Sequence, residues 1–168
     1  MLSARKSLLL VYMVASPEFE QAIAEFNQQQ FYACHDTLEA IWVEAPETDK
    51  RFYQGILQVA VGCYHLSNDN LRGAIILLGE AVRRLCDYQP DYKEIDVEQL
   101  LEQAIALLQA LQQLKPEQAS IFFRQLQQKQ LVKQDEASEV TSESIKDLID
   151  SCQIPYISLV EGLTIPLQ

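Results

Sequence analysis

The sequence predicts an all-α fold, a compact antiparallel bundle of about five to six helices with an irregular C-terminal extension. Two observations carry this. Apolar residues recur at three- and four-residue spacing through most of the first 130 positions, which is the helical period. Only five glycines occur, and no Asn-Gly or Asp-Gly pair marks a β-hairpin. A chain of 168 residues can bury roughly two-thirds of its unfolded surface in one core without a disulfide or metal staple.

Ser16-Pro17-Glu18 starts the first helix with a hydroxyl cap, a proline in the first turn and an acid at the positive end of the helix dipole. Phe19, Ile23 and Phe26 mark its inner face. After a break at 27–30, a second helix carries Phe31, Leu38 and Trp42 and ends near Pro46. A third runs from near Asp49 to about Leu66, with Phe52, Ile56, Val59 and Cys63 on one side. Ser67 to Asn70 is a turn cluster, from which Asn70 caps a fourth helix bearing Leu71, Ile75, Leu78, Val82 and Leu85. Tyr88 to Ile95, with Pro90, reads as a loop. Asp96 and Gln99 form a capping box that opens a fifth helix, stopped by Lys115-Pro116. A shorter sixth helix surrounds Ile121 to Leu126.

The domain organisation follows. Residues 1–15 are a leader or loosely docked segment, and 16–130 are the helical domain. Residues 131–168 are a flexible linker, charged from Lys133 to Glu143, and a C-terminal strap from Ile154 to Leu167. The apolar run from Leu8 to Ala15 is much shorter than the roughly 20 residues that span a bilayer. Export is the less favoured reading of it, because a cut after Ala15 would put bulky Met13 three residues before the cleavage site.

Twenty-four acidic against 13 basic residues give a net charge of −11. That balance excludes nucleic acid and an anionic membrane surface as main partners, since both need a basic face. Cys34, Cys63, Cys86 and Cys152 are widely spaced and read as reduced thiols of a cytoplasmic protein. The expected partner is an unknown protein or small molecule. No GxGxxG, Walker lysine loop, GxSxG or HExxH occurs, so no cofactor or metal is assigned.

One polar constellation stands out. On a helix turning about 100° per residue, Phe31, His35, Leu38, Glu39 and Trp42 share a stripe, and so do Gln54, Gln58, Val61 and His65. If the two stripes face each other, His35, Glu39, Gln54, Gln58 and His65 form one internal polar network. The preferred reading is a structural hydrogen-bonded cluster in a structural or interaction module. Beside it stand a pocket for a small polar ligand and a metal or acid–base site using His35, Glu39 and His65. Enzyme activity is thus left open, with the binding or structural reading preferred. Gly55, Gly62 and Gly73 read as close-packing positions, Gly73 between the third and fourth helices. Trp42 reads as core, and Arg72, Arg83 and Arg84 as a solvated face.

Phe26-Asn27, Phe31-Tyr32-x-x-His35-Asp36-x-Leu38-Glu39-x-x-Trp42, Arg51-Phe52-x-Gln54-Gly55-x-x-Gln58, His65 and Asn70-x-x-Gly73-Ala74 stand in that order. This string resembles the Domain of Unknown Function family three-zero-nine over about residues 19 to 102. The resemblance implies a compact all-α bundle and transfers no activity. It places the family's motif residues at His35, Glu39, Trp42, Gln54, Gln58, His65 and Asn70. Asp36 departs from the family, which more often has Glu there.

Overall fold

A computed structural model describes residues 15–131 and 143–160. The leader up to Val14, the linker up to Ser142 and the strap beyond Val160 lie outside the described residues. Ser16 accepts the Phe19 amide at 3.2 Å, and Pro17 fills the first turn of α1 (Pro17–Asn27). A tight turn through Gln29, at φ 59°, leads to α2 (Phe31–Glu44). Pro46 then precedes α3 (Glu47–Ser67), two residues earlier than the sequence suggests. Asp69, at φ 61°, reverses the chain into α4 (Leu71–Leu85).

The longest helix, α3, is the centre of the core. Phe52, Val59, Ala60, Cys63 and Leu66 on it are fully buried. It packs against α2 and the later helix Ala119–Leu131, and most extensively against α4. Two glycines allow that approach. A β-carbon at Gly55 would stand 2.7 Å from Leu85 Cγ, and one at Gly62 would stand 3.0 Å from Leu78 Cγ. A glycine heptad on α3 thus faces a leucine heptad on α4. Gly73 differs from expectation: its nearest obstacle is not α3 but the side chain of Asn70, 2.6 Å from the position a β-carbon would take. Asn70 Oδ1 accepts the Gly73 amide at 2.9 Å, so glycine there makes room for the cap of its own helix.

The segment read as a loop, Tyr88 to Ile95, begins at the end of a 3₁₀ turn (Cys86–Tyr88) and holds most of a short hairpin, β1 (Asp91–Tyr92) against β2 (Ile95–Asp96). Its turn residues Lys93 and Glu94 have φ of 48° and 66°. These are the two positive values that usually call for Asn-Gly, hence the missing sequence signal. Tertiary bonds hold the turn instead. Lys93 Nζ meets Asp49 Oδ2 at 2.7 Å, Tyr92 Oη donates to Asp49 Oδ1 at 2.8 Å, and Val160 N donates to Glu94 O at 2.9 Å.

Burial pushes the Asp49 carboxyl up, but the Lys93 ammonium and the Tyr92 and Thr48 hydroxyls outweigh it and hold the group below its usual range. A carboxylate depressed in this way stabilises the fold above its unfolded pKa of about 4 and loses that contribution as pH falls through the folded value. The difference in unfolding free energy between wild type and Asp49→Asn is therefore expected to be steady near neutrality and to shrink below about pH 4. Urea melts across pH check this, and a difference independent of pH contradicts it.

Asp96 caps α5 (Val97–Leu111), a 3₁₀ turn at Pro116–Gln118 leads into α6 (Ala119–Leu131), and α7 (Glu143–Ser151) follows. Helix α7 lies within the stretch read as linker and strap, and its Ile145 and Ile149 are buried. The described part of the strap, residues 154–160, docks as an extended chain. Asn27 donates to Ile157 O at 2.9 Å and accepts from Ile157 N at 2.8 Å, as a neighbouring strand would. Asp96 N donates to Ser158 O, Leu159 bridges Ile95, and Cys152, Ile154 and Ile157 are buried.

Candidate functional site

Helices α2 and α3 run antiparallel, so residues pair along them in reverse order. Tyr32 meets Tyr64 with ring centroids 5.8 Å apart at one end, and Trp42 lies beside Gln54 at the other. On a helix rising about 1.5 Å per residue, His35 and Trp42 are roughly 10 Å apart along the axis, and Gln54 and His65 roughly 16 Å. The two helices do pack together, but the polar groups of the expected cluster are spread along their length.

The internal network expected from periodicity does not form. No hydrogen bond joins any two of His35, Glu39, Gln54, Gln58 and His65 among the described residues, and no polar or charged residue among them is fully buried. The buried line of α2 runs through Phe31, Cys34 and Leu38, leaving His35, Glu39 and Trp42 on its flank. His35, 33% exposed, bonds its neighbour Asp36 at 3.0 Å and stacks on Tyr32. Glu39 is exposed. His65 Nδ1 contacts Asn70 Nδ2 at 3.1 Å, tying the end of α3 to the cap of α4. Among the described residues no three His, Cys, Asp or Glu side chains are placed to hold a metal, so the triad of His35, Glu39 and His65 is not assembled.

Gln58 is the one of the five whose environment is costly. Its Oε1 is buried and has no hydrogen-bond partner, a situation worth about 1–3 kcal/mol of destabilisation. Gln58→Met keeps the length and removes the orphan acceptor, so stability is expected to rise by about 1 kcal/mol in a denaturant melt. A comparable loss would show that a polar group satisfies Gln58 in solution.

The Trp42 end is built differently. Trp42, Glu47, Lys50, Arg51, Gln54, Arg83 and Arg84 line an open cleft of about 400 Å³ between the α2–α3 turn and the end of α4. Trp42 is half-buried, packing one side on the core and turning the other to the cleft, a partial departure from the expected core position. Arg84 departs further from the expected solvated face, being only 17% exposed. Its Nε donates to Gln54 Oε1 at 3.0 Å and its Nη1 to Glu80 at 2.5 Å. The close approach at Gly55 causes this, because it brings the Arg84 Cβ within 3.5 Å of where a Gly55 β-carbon would be. The sequence signal was present in Gly55 and Glu80, an i,i+4 partner of Arg84, but only with the pairing of α3 and α4 known. Arg51 pairs with Asp87 at 3.0 Å, Arg83 with Glu80 at 3.0 Å, and Lys50 with Glu47 at 3.1 Å.

These features define an all-helical domain with an open polar face where α2, α3 and α4 meet. Residues 19–77, from α1 to the middle of α4, match the family described as "Domain of unknown function (DUF309)". The motif string pointed to the same family, and every motif residue from Asn27 to Gly73 lies inside the match, whereas Arg83 and Arg84 lie beyond it. The chain is also 35% identical over 65 residues to the "Uncharacterized protein YpuF" of Bacillus subtilis (strain 168); this spans 38% of the chain and 37% of that relative's length. No solved structure matches. Among the described residues no helix is long and apolar enough to cross a membrane.

Proposed function

We propose that the domain is a ligand-binding module that takes a small polar molecule in the cleft beside Trp42. The carrying observation is that Gln54, a candidate of the polar cluster expected from the sequence, lines this cleft together with Trp42 and a largely buried arginine. The size of the cleft falls in the range typical of small-molecule sites. The enzyme alternative built on His35, Glu39 and His65 has less support, since the three do not converge. An interaction module is the second reading, favoured by Tyr32 and Tyr64, 63% and 38% exposed and packed on each other at the far end of the seam. A cytoplasmic setting is consistent with four free cysteines, of which Cys34, Cys63 and Cys152 are buried.

Trp42 is the sole tryptophan, so its fluorescence reports on the cleft directly. A screen of small neutral, cationic and anionic compounds should yield a saturable fluorescence change with a matching rise in melting temperature. Lys50→Phe, which fills the cleft from its rim, should abolish both. If no compound class moves Trp42, the reading fails.

A further inference from the structure

Resting on that reading, we infer that the ligand of this cleft is a small organic oxyanion carrying a planar ring, the oxyanion held by the arginines and the ring laid against Trp42. The charge distribution is the first support. Four of the chain's 13 basic residues, Lys50, Arg51, Arg83 and Arg84, line one cleft of a protein whose net charge is −11. Against those four stand Glu47, Glu80 and Asp87, which leaves one net positive charge where the rest of the surface is strongly acidic. An anion is therefore repelled from most of the molecule and attracted here.

The donors are the second support. Arg84 uses Nε and Nη1 on Gln54 and Glu80, and no hydrogen bond from its Nη2 occurs among the described residues. Arg51 is bonded through Nη2 alone, to Asp87 and to Arg83 O at 3.2 Å, which leaves its Nε and Nη1. Arg83 likewise meets Glu80 through Nη2. Each guanidinium thus keeps N–H donors for a second acceptor, and the plane of Arg84 is fixed by its two partners, Gln54 and Glu80. Planar forks with fixed orientation suit carboxylate and phosphate oxygens in a way a lone ammonium does not. Trp42 supplies the remaining wall, a flat apolar surface that favours an offset-stacked ring.

The test uses the full chain, with Trp42 fluorescence excited above the absorbance of the probes and with calorimetry alongside. The probes are adenosine 5′-monophosphate and benzoate (ring with phosphate or carboxylate), adenosine (ring without charge) and inorganic pyrophosphate (charge without ring). Saturable binding is expected for at least one of the two ring oxyanions, and whichever binds identifies phosphate or carboxylate as the source. Binding should be at least about tenfold weaker for adenosine and for pyrophosphate, the factor expected when one charge-assisted or stacking contact is lost. It should weaken as salt is raised. Arg51→Gln and Arg84→Gln should each weaken it by a similar factor; Arg51 is the more exposed of the two, so its variant keeps the test valid if Arg84→Gln unfolds. Adenosine binding as tightly as its monophosphate would overturn the oxyanion and leave the cleft reading intact. Pyrophosphate binding as tightly would overturn the ring. Silence of all four probes overturns the inference as a whole, and the wider screen then decides whether the cleft binds anything.

Discussion

Phe52→Ala is expected to lower the unfolding free energy by about 3–5 kcal/mol, the largest single effect foreseen for this protein. The Phe52 ring is fully buried and sits among four others: Phe19 at 6.2 Å, Tyr53 at 5.6 Å, Tyr88 at 5.3 Å and Tyr92 at 4.9 Å between centroids. These rings come from α1, α3, the 3₁₀ turn and the hairpin, so truncation loosens several elements at one point. Edge-on and tilted aromatic pairs add about 0.5–1.5 kcal/mol each to the burial itself, and the cavity left behind adds more because the helices around it relax only in part. A urea midpoint that falls while the slope stays constant confirms the expectation. A loss below about 1 kcal/mol would mean that the cluster collapses onto the space without strain.

Gly55→Leu is expected to cost about 3 kcal/mol, at the upper end of overpacking effects, because its first side-chain atom already collides with Leu85 Cγ at 2.7 Å. Leu85 is itself fully buried and has little room to withdraw. Shortening Leu85 to alanine in the same chain should return part of that loss, giving a coupling of about 1 kcal/mol or more in a double-mutant cycle. Gly79 is the control: a β-carbon there meets nothing within 4 Å, so Gly79→Ala should raise stability by about 0.5–1 kcal/mol through helix propensity. If Gly55→Leu and Gly79→Leu behaved alike, the close contact between α3 and α4 would be wrong.

What the sequence determined by itself was local and angular. Ser16-Pro17, Asn70 and Asp96 announce helix starts because a side-chain oxygen bonding an amide two or three residues on needs no tertiary partner, and all three caps form. The motif string from Phe26 to Ala74 pointed, by residue identity and order alone, to the family whose model matches residues 19–77. Periodicity placed Gln54, Gln58 and His65 on one side of α3, but a helical wheel discards the axial coordinate. The roughly 16 Å between Gln54 and His65 therefore turned an expected cluster into the two ends of a seam. The hairpin at Lys93-Glu94 was invisible because its positive φ angles are held by Asp49 and Val160, both remote in sequence. Arg84 looked like surface for the same reason. Only the approach of α4 to Gly55 carries its guanidinium onto Gln54 beside Trp42, and that approach is settled by the mutual burial of two faces, Gly55 and Gly62 of α3 against Leu85 and Leu78 of α4, so it cannot be read from α4 alone.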